Sequence, residues 1–319
     1  MWKVSSKISP LFKCKQVFLV SGSLLFSLTV ICQGKDIDYK FGNVTAKDFD
    51  VSSSKIIDSG ASAVILYEAG STHFIGNNSN WFDYVYTCTR RIKINSQKAF
   101  DLATVKLPLF VYNAKDPNDL DNNEIVSNVK AVTYNLDNGK ISAIQLDTKD
   151  VFTDKEDEDL VVKKFTLPAI KEGCIIEYTF TITSPDYGNM HSWKFQHPEY
   201  PVLWSEYQVS IPSTLTFAVI KQGLDSYYIN KGWEGRENYS VNKDAQDQNN
   251  YLNSQQLVVR ANTTNHRWVQ KDIRPLNAET IFHLLIIMLT KLSFSFQELI
   301  TGKKNLMKLV HGSLCLHIS

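Results

Sequence analysis

The stretch from Phe165 to Asp186 constrains this chain more than any other. It reads as one strand, a tight turn at Glu172-Gly173, and a second strand. In that second strand Cys174, Ile176, Tyr178, Phe180 and Ile182 alternate with mostly polar neighbours. A period of two places one face in a core and the other toward water. The pattern recurs upstream, where Tyr84, Tyr86, Cys88, Ile92 and Ile94 share one face and Thr87, Thr89, Arg91 and Lys93 the other. Arg90 interrupts the apolar set, which requires either a bulge or a paired guanidinium. Asp137-Asn138-Gly139 separates two further strand-like runs, and Asn-Gly is preferred hairpin-turn chemistry. Runs at Ala61–Tyr67, Leu160–Leu167, Leu203–Ile211, Leu215–Lys221, Gln256–Ala261 and His266–Gln270 complete the set. Between residues 35 and 279 no window sustains a helical period, although a short helix at Ala46–Phe49 fits. The expected fold is all-β, an antiparallel β-sandwich, built either as one sandwich or as two fused sandwich-like halves.

Both ends depart from this pattern. Residues 1–34 carry Lys3, Lys7, Lys13 and Lys15 with no acid, then an apolar run from Val17 to Cys32, then polar Gln33. That is the layout of a signal peptide, and the apolar run falls short of the ~20 residues of a spanning helix. Acylation at Cys32 fits less well, because Thr29-Val30-Ile31 lacks small residues. The expectation is export, to the periplasm or cell envelope of a Gram-negative bacterium, with no transmembrane helix in the mature chain. From about Thr280 the text changes again. Residues 280–319 hold one acid, Glu298, and no Pro, Asp, Tyr or Trp. The tail reads as aberrant, out of frame or disordered, and the chain as truncated after about residue 279.

The body, 35–279, carries 26 Lys and Arg against 32 Asp and Glu. This acidic balance argues against nucleic-acid binding. Only Cys88 and Cys174 of the five cysteines fall in the body. Two cysteines on apolar strand faces read as small buried hydrophobes, with a disulfide as the alternative.

Several segments in order resemble one family. They are Phe165-Thr166-Leu167-Pro168, Lys171 to Tyr178, Trp193-Lys194-Phe195-Gln196, Pro201, Ser205 to Pro212, and Trp268 with Asp272 to Leu276 and Glu279. Together they resemble the domain-of-unknown-function family 3857, over roughly residues 55–279. The resemblance implies an exported β-sandwich domain placed before a transglutaminase-like domain, in Bacteroidetes-type bacteria. The Cys-His-Asp chemistry of that context belongs to the downstream domain, and no residue here matches it.

The remaining constellations are weak. Cys88 and Cys174 sit mid-strand, without a helix N-terminus to lower a thiol pKa, so neither is expected to be catalytic. His191 and His197 flank Trp193 and Phe195, with only Glu199 as a further ligand type, and read as ordinary loop histidines. Asp119 to Asn123 opens like a calcium loop but has Glu124 and Lys130 where glycine and glutamate are needed. No cofactor and no metal are expected. Trp193, Phe195, Tyr200, Trp204 and Tyr207 crowd into fifteen residues. They either plug the end of the sandwich or form an exposed platform for a carbohydrate or peptide. The reading is a non-catalytic exported accessory domain. Its partner is a downstream transglutaminase-like domain, or else an envelope protein or glycan.

Overall fold

The computed structural model describes residues 36–77, 81–113, 116, 119, 122–223, 226–242, 256–276 and 291–296. The chain divides into Met1–Gly34 and Lys35–Ser319, and every described residue belongs to the second unit. The expected signal peptide and most of the expected aberrant tail lie outside the described residues. Among these residues no helix is long and apolar enough to cross a membrane.

The strands are β1 (Ala63–Asn77), β2 (Trp81–Ile94), β3 (Thr104–Phe110), β4 (Ile125–Asp137), β5 (Lys140–Gln145), β6 (Phe152–Lys155), β7 (Leu160–Thr166), β8 (Ile175–Ser184), β9 (Trp193–Lys194), β10 (Val202–Pro212), β11 (Phe217–Gln222), β12 (Ile229–Asn242), β13 (Gln256–Ile273) and β14 (Lys291–Phe296). Ala46–Phe49 forms a 3₁₀ turn, with Thr45 and Asp48 as a reciprocal cap. One large sheet runs in the order β12-β13-β10-β1-β2-β8-β4-β5. Two three-stranded sheets, β3-β7-β6 and β11-β14-β9, cover one of its faces. Phe165 of β7 meets Tyr178 edge-on at 6.3 Å, and Phe294 of β14 lies 5.8 Å from Tyr207. The fold is therefore an all-β sandwich whose second layer is split.

The alternation read from sequence holds. Tyr84, Tyr86, Cys88, Ile92 and Ile94 share the interior with Cys174, Ile176, Tyr178, Phe180 and Ile182. The β4–β5 turn has Asn138 and Gly139 both at positive φ, as Asn-Gly chemistry requires. The second layer was less legible. β7 and β8 form no hairpin with each other. β7 pairs with β3 and β6, whereas β8 pairs with β2 and β4. The Glu172-Gly173 turn, with Gly173 at φ 82, carries the chain from one layer to the other. Alternation fixes a buried face, not the strand that lies beside it. β10 and β11 likewise part into different sheets across Pro212. One pairing among the described strands is parallel, β1 with β10. It closes only after the chain has laid down everything from β2 to β9.

A further expectation is corrected. Within the tail, Lys291–Phe296 is ordered as β14, with Leu292 and Phe294 buried in the main core. Its text, Lys-Leu-Ser-Phe-Ser-Phe, alternates with period two and so suits a sheet. The polar residues Asn238 to Asn242 are strand, paired with β13. Cys88 and Cys174 are free buried thiols.

The opposite face of the large sheet is covered in part by the segment before β1. Phe41, Val44, Phe49, Val51 and Ile57 pack on Val64, Leu66, Val132, Tyr134 and Ile175. This arm is fastened by charge as well. Glu177 accepts from Arg91 Nε at 2.8 Å and Nη2 at 2.6 Å, from the Tyr39 hydroxyl at 2.7 Å, the Gly42 amide at 2.8 Å and the Tyr134 hydroxyl at 3.0 Å. Arg91 Nη2 also donates to the Lys40 carbonyl at 3.0 Å. A buried carboxylate needs this many donors to offset its lost hydration.

Candidate functional site

On the inner face, register aligns an unusual row. Gln270 of β13 stands opposite Ser205 of β10, which stands beside Glu68 of β1. Glu68 is opposite Arg90 of β2, and Arg90 is opposite Tyr178 of β8. Five polar side chains thus cross the interior of the sandwich in one line. An apolar row flanks it on each side, Val202-Ile65-Ile92-Ile176 and Trp268-Tyr207-Gly70-Cys88-Phe180. Ile65 and Glu68 both point inward although three residues apart, because a bulge interrupts β1 between Ile65 and Tyr67. Of the two answers to the Arg90 problem posed by the sequence, the structure supplies the partner: β2 itself carries no bulge and Arg90 stays on the inner face beside Glu68.

The row is connected. Trp193 Nε1 donates to Ser205 Oγ at 3.2 Å, and Ser205 Oγ donates to Glu68 Oε1 at 2.7 Å. Arg90 Nε stands 3.2 Å from Glu68 Oε2, an ion-pair contact that lacks hydrogen-bond alignment. Glu68's side chain is 4 % exposed while that of Arg90 is 36 % exposed, so the guanidinium reaches solvent from an inward-facing position. Burial pushes the Glu68 carboxyl up, and Arg90 and the Ser205 hydroxyl oppose the shift without cancelling it. Gln270 is buried, and among the described residues neither of its amide atoms has a hydrogen-bond partner.

Of the aromatic cluster singled out from sequence, Trp193, Phe195, Tyr200 and Tyr207 belong to this interior. Trp193 is 2 % exposed, Phe195 0 %, Tyr200 4 %, Trp204 5 % and Tyr207 0 %. The five rings are core and not an exposed stacking platform. Trp193 lies over Gly70, where an ideal Cβ would come 2.5 Å from the indole ring, and stacks on Tyr207 at 5.7 Å. Trp204 faces the other side of the sheet, packing with Tyr67 and Val269, and its Nε1 donates to Glu206. Proline-punctuated aromatic text placed large side chains at a layer crossing, which is the plug that the sequence offered as one of its two readings.

Among the described residues the thiols and imidazoles form no reactive couple. Burial raises the pKa of Cys88, and Arg90 offsets this only in part. The Cys174 thiol is likewise raised by burial. His191 stacks on Tyr86 with ring centroids 4.7 Å apart, and its Nδ1 lies 2.7 Å from the Tyr84 hydroxyl. Burial brings its pKa down to about 4. His197 stacks on Tyr200 at 4.8 Å, and burial with the Arg90 charge also brings it down to about 4. Both rings are neutral near pH 7. Among the described residues no group of three His, Cys, Asp or Glu side chains is placed to hold a metal ion. Around the calcium-like stretch, Asp119 Oδ2 accepts from Asn113 and Asn122, and the Asn123 side chain bonds Asn113 and Asp116 backbone atoms. Positions 120 and 121 lie outside the described residues.

One site escaped the sequence. Where β12 crosses the end of β1, a groove of about 520 Å³ opens. Trp233, His73, Gln208, Glu237, Asn238 and Asn265 contribute to its wall. They come from four strands far apart in the chain, and Trp233 stands in a polar segment with no alternation to mark it.

Residues 83–239, from β2 into β12, match the family described as Domain of Unknown Function with solved-structure structure (DUF3857). Over these residues the chain is similar to the DUF3857 family. The DUF3857 span holds most of the inner row, the aromatic plug and the layer crossings. No curated protein matches the chain. Among solved structures, a protein of Parabacteroides distasonis ATCC 8503, described as a protease candidate, is similar at 12 % identity and a TM-score of 0.49. The match covers 74 % of this chain and 40 % of that one, so the chain spans less than half the length of that protein.

Proposed function

We propose that the chain is a non-catalytic accessory domain, exported to the periplasm or cell envelope, that scaffolds or presents substrate to a transglutaminase-like domain. One observation carries this reading. The apolar residues on which the family resemblance rests became structure. Phe165, Leu167, Cys174, Ile176, Trp193, Phe195, Tyr207 and Trp268 are all buried, and Trp193, Ser205 and Tyr207 spend their hydrogen bonds inside the core, on Ser205, Glu68 and Thr72 in turn. What such a family shares is then a framework, and function on a framework is supplied by sites attached to it. The raised thiols and neutral, ring-stacked imidazoles support the same reading, because nucleophilic catalysis needs a thiolate beside a base.

The test has two arms. The purified chain is assayed for hydrolysis and cross-linking of glutamine-containing peptides, where no turnover is expected. It is then mixed with, or fused to, a transglutaminase-like domain, where a higher melting temperature or altered substrate preference of that domain is expected. Peptide turnover by the chain alone, abolished by Cys88→Ser, would end the accessory reading.

A further inference from the structure

We propose that the groove under Trp233 binds a neutral carbohydrate. This stands apart from the accessory reading and holds whether or not a second domain is served.

The groove is built into the framework. At its base Gly76 lies against the backbone of β12, where an ideal Cβ would come 1.9 Å from the Ser240 carbonyl oxygen. Tyr239 meets Phe82 edge-on at 5.2 Å and fixes the same crossing. Asn265 donates to the Trp233 carbonyl at 3.3 Å and to Thr263 Oγ1 at 3.1 Å, holding the far wall to β13. The volume, about 520 Å³, suits a small ligand, for which roughly 300–1,000 Å³ is usual.

The lining selects the ligand by elimination. Among the described residues no Lys or Arg lines the groove, so a phosphate, sulfate or carboxylate would find no cation there. Glu237 adds a negative charge. Burial holds His73 below its ordinary pKa, against the pull of Glu237, which keeps its ring neutral at neutral pH. A purely apolar ligand would strip water from His73, Gln208, Ser210, Glu237 and Asn238 and give nothing back. The remaining class has a flat C–H face and an edge of hydroxyls. Trp233, 37 % exposed, offers an indole for the face. Gln208, Asn238 and Ser210 each donate and accept, as a hydroxyl edge requires. Among the described residues neither Gln208 nor Glu237 has a hydrogen-bonded side-chain partner, so each is available to a ligand.

The experiment uses the full chain against an array of neutral oligosaccharides. Titrations of chitotetraose and cellotetraose follow, read by calorimetry and tryptophan fluorescence. At least one neutral glycan is expected to bind with a dissociation constant below about 1 mM. Trp233→Ala is expected to weaken it by roughly tenfold or more, Gln208→Ala by about threefold, and Trp233→Phe to stay within about threefold of the parent. Circular dichroism should be unchanged in all three. If Trp233→Ala fails to fold, Gln208→Ala and Trp233→Phe decide. Absence of binding across the array, binding unmoved by the variants, or preference for sulfated or uronic-acid glycans would each overturn the proposal.

Discussion

Two consecutive arginines, Arg90 and Arg91, point to opposite faces of the same strand, and each meets a buried glutamate. On the outer face Arg91 and Glu177 form a dense network, with Arg91 Nε and Nη2 engaged and five donors on one carboxylate. On the inner face Arg90 and Glu68 share one poorly aligned contact, Arg90 stays partly in water, and Gln270 at the end of the row has no partner. Identical chemistry thus serves as a fastener on one face and stands loosely held on the other. The difference lies in neighbours. The outer pair gains an arm that brings Tyr39, Lys40 and Gly42, whereas the inner pair is roofed by two small sheets whose inward side chains are mainly apolar.

The contrast can be broken at several points. Arg91→Met is expected to have the largest effect, about 3–5 kcal/mol of stability by urea unfolding, because Glu177 would remain buried without its main counter-charge. A cost under about 1 kcal/mol would show that the network is not the fastener. Gly70→Ala tests the inner roof. Its Cβ would meet the Trp193 ring and Tyr207 Cδ2 at 2.9 Å, for a cost of about 1–3 kcal/mol. Melting unchanged by that substitution would mean that Trp193 yields readily. Tyr39→Phe removes one donor from Glu177 and should cost about 1 kcal/mol, with the arm becoming more sensitive to protease than the sheet.

The last effect is one of sign. Glu68 has its folded-state pKa raised, so between its unfolded and folded values the folded protein binds more protons than the unfolded one. Its contribution to stability is greatest below the unfolded value of about 4.3 and declines as pH rises through the folded value. Glu68→Gln should remove that decline and flatten the pH profile above about 4.3, read from unfolding midpoints across the range. A profile identical to the parent would show that the inner carboxylate does not titrate as its burial implies.

The strands of the inner sheet were legible because each carries its own record. Tyr84 to Ile94 and Cys174 to Ile182 alternate, and alternation needs no knowledge of partners. The Asn138-Gly139 turn was legible for the same local reason. The buried fate of Trp193 and Tyr207 was only half legible, since aromatic text describes a plug and a platform equally well until the layer above is placed. The groove was not legible at all. Trp233 and Gln208 are brought to one groove from β12 and β10, with β13 between them, and no spacing in the chain encodes that arrangement.

By itself the sequence determined which face of each strand is apolar, where turns fall, and that Arg90 must be compensated, because these follow from periodicity and from the cost of burying charge. Only the tertiary structure decided which strands adjoin. It alone split the second layer, aligned Gln270, Ser205, Glu68, Arg90 and Tyr178 into one row, and opened the groove under Trp233. Pairing depends on long-range register, and register is settled by the packing of all the layers together.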